Sequence, residues 1–342
     1  MSSKRLTPYV IYNPIKVSRA HRLRKLVTLG AAEAGLANPV WLPTTVADPG
    51  TGQAAQAVAD GAALIIAAGG DGTVRAVAAG VAHSGIPMAV LPFGTGNLLA
   101  RNLSIPPDNL QEAVDIAFFG LETKSDLAWL RVSEVVEESE LPAEGSLLPS
   151  PHLEGLQKKG VLPPSDDEYA FLVISGQGWD AELMAGTSSE LKKHMGWGAY
   201  VVAGAQSLRA PQTRATVTLD GKKRYTVTSR SLLFANCSTL TAGVVLVPDA
   251  EMGDGLIDVT ILDAKAGLIG WMDLFTKILA QGIGMRPESL PGTTGNLAFK
   301  KAHTVHTHTK MAQAVQVDGD AIGVAHAIDV RVDKHALKLR CG

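Results

Sequence analysis

Two glycine-rich stretches carry residue types that could do chemistry: Gly69-Gly70-Asp71-Gly72-Thr73 and Phe93-Gly94-Thr95-Gly96-Asn97. Each follows a short apolar run and opens a helical stretch, so its glycines let backbone N–H groups reach an anion at a helix N-terminus. That is the chemistry of a phosphate cradle. Asp71 lies inside one cradle, where a bare carboxylate repels phosphate. A bridging magnesium ion, work on a hydroxyl proton, or simple capping of the following helix would each account for it. Two adjacent loops of this kind are harder to ascribe to capping than one. Neither matches GxxxxGK[ST] or GxGxxG, which excludes the P-loop and dinucleotide fingerprints.

Far downstream, Asp318-Gly319-Asp320 places two carboxylates on a tight glycine turn. A carboxylate within roughly 2.6–3.2 Å of an alcohol can take its proton as the oxygen attacks a γ-phosphoryl group. The same tripeptide also suits an ordinary hairpin turn, and the residues alone leave both roles open.

The elements around these loops alternate. Strands are expected at 9–12, 40–42, 63–67 and 88–91, with helices at 19–34, 51–59, 73–83 and 96–103, the pattern of a doubly wound parallel sheet covered by helices. Both glycine turns then fall at the C-terminal ends of strands, where open α/β sheets bind ligands. After Asp126 the character changes. Residues 133–168, rich in Glu, Asp, Pro and Gly, suggest a solvated or disordered acidic insertion. Beyond it, short β-type runs at 169–175, 215–219, 225–228, 231–235, 256–262, 304–309 and 314–318 indicate a β-rich, sandwich-like second domain. Two mostly apolar helical segments, 190–208 and 268–282, interrupt it. The expected division is an α/β domain over 1–127, a β-rich domain over 128–329, and a tail from about 330 to 342 that returns to the first.

At 342 residues the chain exceeds one ordinary core, and 46% hydrophobic residues describe a folded globular protein. A net charge of -2 offers no basic field for a polyanion, so nucleic acid is not an expected partner. Two cysteines, Cys237 and Cys341, show no zinc-ligand spacing and fit a reducing compartment. No signal-peptide pattern and no apolar run of about 18 residues is present, so a cytoplasmic protein with peripheral membrane contact is expected. His303, His306 and His308 read most simply as exposed strand residues. Oligomeric state stays open, and a homodimer is compatible with it.

In 68–80 and 91–106, most of all in Gly-Gly-Asp-Gly-Thr-Val-Arg and Pro-Phe-Gly-Thr-Gly-Asn-Leu-Leu-Ala-Arg-Asn-Leu, the sequence resembles the diacylglycerol kinase catalytic-domain family of bacterial soluble lipid kinases, related to sphingosine kinases. The resemblance continues through Tyr12-Asn13-Pro14, Thr45, residues 176–181, 192–200 and 254–256, and Val317-Asp318-Gly319-Asp320, in the family's order. It implies ATP bound by Asn13, Thr45, Gly69 to Arg75, Gly94, Thr95, Gly96 and Asn97. It also implies Mg2+ at Asp254, the Leu256 carbonyl and Glu251, and a proton acceptor among Asp71, Asp318 and Asp320. The implied acceptor is a lipid, diacylglycerol or sphingoid-like. Trp197, Tyr200, Trp271 and Phe275 on the two apolar helices suit an acyl-chain cleft or the membrane interface, and ordinary core packing accounts for each helix taken singly.

The sequence departs from the family's pattern at Ala76 and Leu98, where acids are usual, at Asp320, where the usual residue is glutamate, and at Ile15-Lys16-Val17, where a Ser-Gly pair is usual. NAD kinases also resemble Gly69 to Thr73 but not Pro92 to Arg101. A catalytically silent nucleotide- or lipid-binding regulator is the third alternative.

Overall fold

The computed structural model describes residues 6–18, 20–137, 168–178, 212–239, 247–264 and 295–342. The helices expected at 190–208 and 268–282, and 138–167 of the expected insertion, lie outside the described residues. The described chain forms two compact units. One takes residues up to 127 with 168–170 and 333–342, and the other takes 128–137 with the described part of 171–332.

The first unit is built on four parallel strands, β1 (Pro8–Tyr12), β2 (Val40–Pro43), β3 (Leu64–Gly69) and β4 (Pro87–Pro92). Their order is β2-β1-β3-β4: Val10 faces Trp41 on one side and Ile66 on the other, and Ile66 faces Ala89. Five helices connect and cover them: α1 (Ala20–Glu33), α2 (Thr51–Ala59), α3 (Asp71–Val81), α4 (Leu98–Asn102) and α5 (Leu110–Phe119). Every residue of β3 is buried irrespective of parity, as a strand with both sheet faces covered must be. Small residues let the helices close in. A Cβ on Gly80 of α3 would stand 2.6 Å from the Cβ of Ala54 on α2, so only glycine fits there. Near the chain's end, Lys338 and Leu339 pair parallel with Pro87 and Met88 and extend this sheet beyond β4.

Helix α5 was not anticipated, although Asn109 and Glu112 spell a capping pair. The Asn109 side chain accepts from the Glu112 N–H at 3.3 Å and donates to its carboxylate at 2.9 Å. Strand β5 (Leu121–Glu137) runs into the expected acidic insertion, so 133–137 form the end of a strand, with Ser133 exposed. The Glu137-Glu138 pair masked a strand that is anchored upstream by buried Leu127, Trp129 and Leu130.

The second unit is antiparallel. Its strands are β6 (Glu168–Phe171, mostly in the first unit), β7 (Ile174–Gly178), β8 (Thr213–Leu219), β9 (Lys223–Ser229), β10 (Ser231–Ala235), β11 (Ile257–Ala264), β12 (Gly295–Ala302), β13 (Thr304–Val317) and β14 (Asp320–Cys341), whose last residues belong to the first unit. They run in the order β12-β11-β10-β7-β13-β14, with the β8–β9 hairpin paired onto β13. Two expected runs, 304–309 and 314–318, are one strand whose register against β14 shifts between His308 and Gln313. The expected single strand 169–175 is instead two, parted at Leu172 and Val173. Along β13, Val305, Thr307 and Thr309 are buried while His306 and His308 are exposed. His306 Nδ1 meets the Asp329 carboxylate at 2.7 Å and the His308 ring stacks on His326.

Candidate functional site

The residues expected to hold a nucleotide converge because their strands are parallel. Asn13 directly follows β1, Thr45 follows β2, Gly70 to Thr73 follow β3, and Phe93 to Asn97 follow β4. All four turns therefore leave the same edge of the sheet, the C-terminal one. The first turn is held by Asn13, whose N–H donates to the Ala68 carbonyl at 2.9 Å and whose Oδ1 accepts from Ile15 and Lys16. In the second, Thr45 Oγ1 accepts from the Asp48 N–H at 3.0 Å, and Asp48 in turn accepts from Gly50 and Gly52 at the start of α2.

The two glycine loops touch each other through backbone. A Cβ on Gly94 would stand 2.8 Å from the Gly70 Cα and 2.9 Å from Asn97 Oδ1, so any side chain there would drive the loops apart. Gly70 is the N-cap of α3 and supplies no capping side chain, which leaves the opening turn of this helix to be met by something other than a cap. Thr95 is exposed and Thr73 buried at this edge.

Asp71 does not cap its own helix. Its carboxylate accepts from the Asn97 N–H at 2.9 Å and the Leu98 N–H at 2.6 Å, so it caps the short helix α4 from the other loop. Asn97 sits in the left-handed region at φ 48° and closes its own turn, with Oδ1 accepting from the Gly94 N–H at 2.8 Å and Nδ2 donating to the Gly94 carbonyl at 2.9 Å. Arg101 Nε also donates to the Gly96 carbonyl at 3.0 Å. The sequence carried the two loops but not this lock between them. The signal was present in Gly-Asn-Leu, since asparagine tolerates a left-handed backbone that leucine does not.

In the second unit, Asp318 and Asp320 occupy different environments. Asp318 is buried at φ 46°, and its carboxylate accepts from the N–H groups of Leu172 (2.9 Å), Val173 (2.9 Å) and Ile174 (3.0 Å). It holds the break between β6 and β7. Asp320 begins β14 and is exposed. The turn between them is fixed by Gly319, whose N–H donates to Gln316 Oε1 at 2.8 Å.

The magnesium expected at Asp254, Leu256 and Glu251 does not fit the residues present. Asp254 Oδ1 accepts from the Leu256 N–H at 2.8 Å, and its Oδ2 lies 2.8 Å from the ammonium of Lys301. Glu251 is exposed, and no group of three metal-ligating side chains occurs among the described residues. Lys301 also lies 3.4 Å from Oδ2 of buried Asp258, an oxygen with no hydrogen bond. Burial pushes the Asp258 carboxyl up to about 6, against the opposing pull of Lys301.

Comparisons with known proteins agree with this architecture. Residues 8–130 match the family model of the diacylglycerol kinase catalytic domain, and residues 173–340 match that of the YegS C-terminal NAD kinase beta sandwich-like domain. Together the two matches cover most of the chain, and they place its first domain in the diacylglycerol kinase catalytic-domain family. Among relatives, a protein named diacylglycerol kinase from Bacillus subtilis is 25% identical over 331 residues, 95% of this chain and 93% of that one. A protein named "Probable lipid kinase YegS-like" from Pseudomonas putida is 28% identical over 74% of this chain and 79% of its own. A third, "Uncharacterized protein sll0036" from Synechocystis, is 26% identical over 78% of this chain, which spans about half (52%) of that protein's length. The crystal structure of a diacylglycerol kinase from Bacillus anthracis superposes with a TM-score of 0.67 at 19% identity, covering 99% of this chain and 98% of that one, a likeness of fold. The expected α/β and β-rich architecture and the lipid-kinase-type class agree with these matches. No helix among the described residues is long and apolar enough to cross a membrane.

Proposed function

We propose that the protein is an ATP-dependent lipid kinase that transfers the γ-phosphoryl group of magnesium-bound ATP to a lipid hydroxyl, most simply that of a diacylglycerol. The observation that carries this reading is the convergence of Asn13, Thr45, Gly69 to Thr73 and Gly94 to Asn97 at one sheet edge, with the two glycine loops in backbone contact. A helix N-terminus without a capping side chain, flanked by glycine backbone, suits phosphate oxygens. Mg2+ enters in this account as part of the nucleotide substrate and offsets the charge on its phosphates.

In the transfer, the lipid oxygen attacks the γ-phosphorus, the bond to the β,γ-bridging oxygen breaks, and ADP leaves. The hydroxyl proton needs an acceptor. Of the three candidate carboxylates, Asp318 is buried and Asp71 half-buried, each gripping backbone amides that shape a turn, and Asp320 is the solvent-exposed one, at the start of β14. Asp320 is therefore the proposed acceptor, with Asp71 positioning the nucleotide loops and Asp318 positioning the turn that presents Asp320. A diacylglycerol resides in a bilayer, so this function entails peripheral membrane contact.

The test is a panel: purified protein with γ-labelled ATP, Mg2+ and, separately, dispersed diacylglycerol, sphingosine, phosphatidylglycerol and NAD. The proposal expects label in a lipid, with diacylglycerol the leading acceptor. Label in NAD would favour an NAD kinase, and nucleotide binding with no transfer to any acceptor would favour a silent regulator.

A further inference from the structure

The acidic turn of the second unit is organised around a cation that the chain itself supplies. Lys301 Nζ donates to the Asp249 carbonyl at 2.7 Å and to Asp254 Oδ2 at 2.8 Å, and stands 3.4 Å from Asp258 Oδ2. A backbone carbonyl and two carboxylates drawn from one short segment form an all-oxygen set of the kind a hard divalent cation takes. Here they surround an ammonium group at hydrogen-bond and ion-pair distances.

The lysine is placed by sheet register. Lys301 on β12 is directly opposite Asp258 on β11, so the two side chains share a face. The remaining Asp254 oxygen is used to fold the turn by accepting from the Leu256 N–H, a bond that shapes the 254–256 segment without any added ion. Asp258 is almost fully buried, at 2% exposed, and it opposes Lys301 without a hydrogen bond. Removing the ammonium would therefore take the cation from between two carboxylates, one of them buried, and a buried charge that loses its ion-pair partner is strongly destabilising.

We propose that Lys301 is a built-in replacement for a structural divalent cation, so that the 249–258 turn folds independently of metal. This inference concerns the second unit's stability and stands apart from the proposed transfer reaction.

Thermal unfolding without nucleotide tests it, in chelator and in millimolar Mg2+ or Ca2+. The chains compared are the wild type, Lys301→Met, and Lys301→Met combined with Asp254→Asn. The wild-type midpoint is expected to be the same with and without metal. Lys301→Met should melt several degrees lower in chelator and recover much of that loss in metal, because the freed oxygens would take the ion. The added Asp254→Asn should abolish the recovery. A Lys301→Met chain that folds only with metal supports the proposal equally. It is overturned if Lys301→Met melts with the wild type, if metal raises both midpoints by the same amount, or if the variant stays unfolded in both conditions.

Discussion

The carboxylate of Asp71 accepts the backbone N–H of Asn97 at 2.9 Å, joining residues 26 apart in sequence and locking one glycine loop to the other. A second bond, from the Leu98 N–H, makes the grip two-point. Such bonds to a charged acceptor contribute about 1.5–3 kcal/mol each. Asp71 is only half-buried, so water can replace part of what these two bonds supply, and Asp71→Ala should lower unfolding stability by roughly 1–3 kcal/mol. It should also raise the KM for ATP about tenfold, the equivalent of about 1.4 kcal/mol of binding. Denaturant titration and steady-state kinetics read the two effects. A fall in kcat with the ATP KM unchanged would instead place Asp71 in proton transfer.

Gly94 is the point of closest approach between the loops. Gly94→Ala puts a methyl group 2.8 Å from the Gly70 Cα, and backbone cannot give way as a side-chain tip does. The expected result is a loss of about 1–3 kcal/mol from overpacking and a clear weakening of ATP binding, read by titration with a fluorescent nucleotide. Unchanged affinity would separate the loop contact from nucleotide binding.

Asp318 and Asp320 should respond oppositely to amputation. Three backbone amides lose their acceptor in Asp318→Ala, which predicts a loss of roughly 2–4 kcal/mol in equilibrium unfolding. Asp320→Asn, at an exposed strand end, should leave stability within about 0.5 kcal/mol of wild type.

The parallel sheet was legible because its strands are short apolar runs punctuated by glycine, and α2 falls where the 51–59 pattern placed it. The meeting of the four turns at one edge was legible for the same reason, since a turn after a parallel strand has only one edge to occupy. What sequence could not show is which partner a carboxylate chooses. Asp71 reads as a cap, a magnesium partner or a proton acceptor and Asp318 as a hairpin-turn residue or a proton acceptor, yet each grips amides that are distant in sequence, Asn97 and Leu98 in one case and Leu172 to Ile174 in the other. Lys301 was equally silent, because a lysine in Phe-Lys-Lys-Ala reads as an exposed strand residue until the β11–β12 register sets it against Asp258. The reach of β5 was hidden by Glu137-Glu138, whose composition does not read as a strand.

Two carboxyls should shape the pH dependence of stability with opposite signs. Asp258 titrates at about 6 in the fold, chiefly because burial disfavours its charge, against about 3.9 in an unfolded chain. The folded state then holds the extra proton, so this group's contribution is complete below about pH 4 and is lost as pH rises through about 6. Two units correspond to at most about 3 kcal/mol. For Asp329, burial pulls upward, but the bonds from Ser133, His306 and Arg131 outweigh it and hold the carboxyl below its usual range. Its contribution is present above about pH 4 and is lost on further acidification. Denaturation midpoints measured from pH 3 to 8 should show both slopes, with Asp258→Asn removing the one between about 4 and 6.

The most direct measurement is transfer of label from γ-labelled ATP to dispersed diacylglycerol by the wild type and by Asp320→Asn. The expected result is a phosphorylated lipid formed by the wild type and a drop of about 10²–10⁴ in kcat for the variant, the usual worth of a positioned proton acceptor, with ATP affinity retained. Contradiction would come from a wild type that binds ATP yet labels no lipid, or from an Asp320→Asn chain that phosphorylates lipid at the wild-type rate.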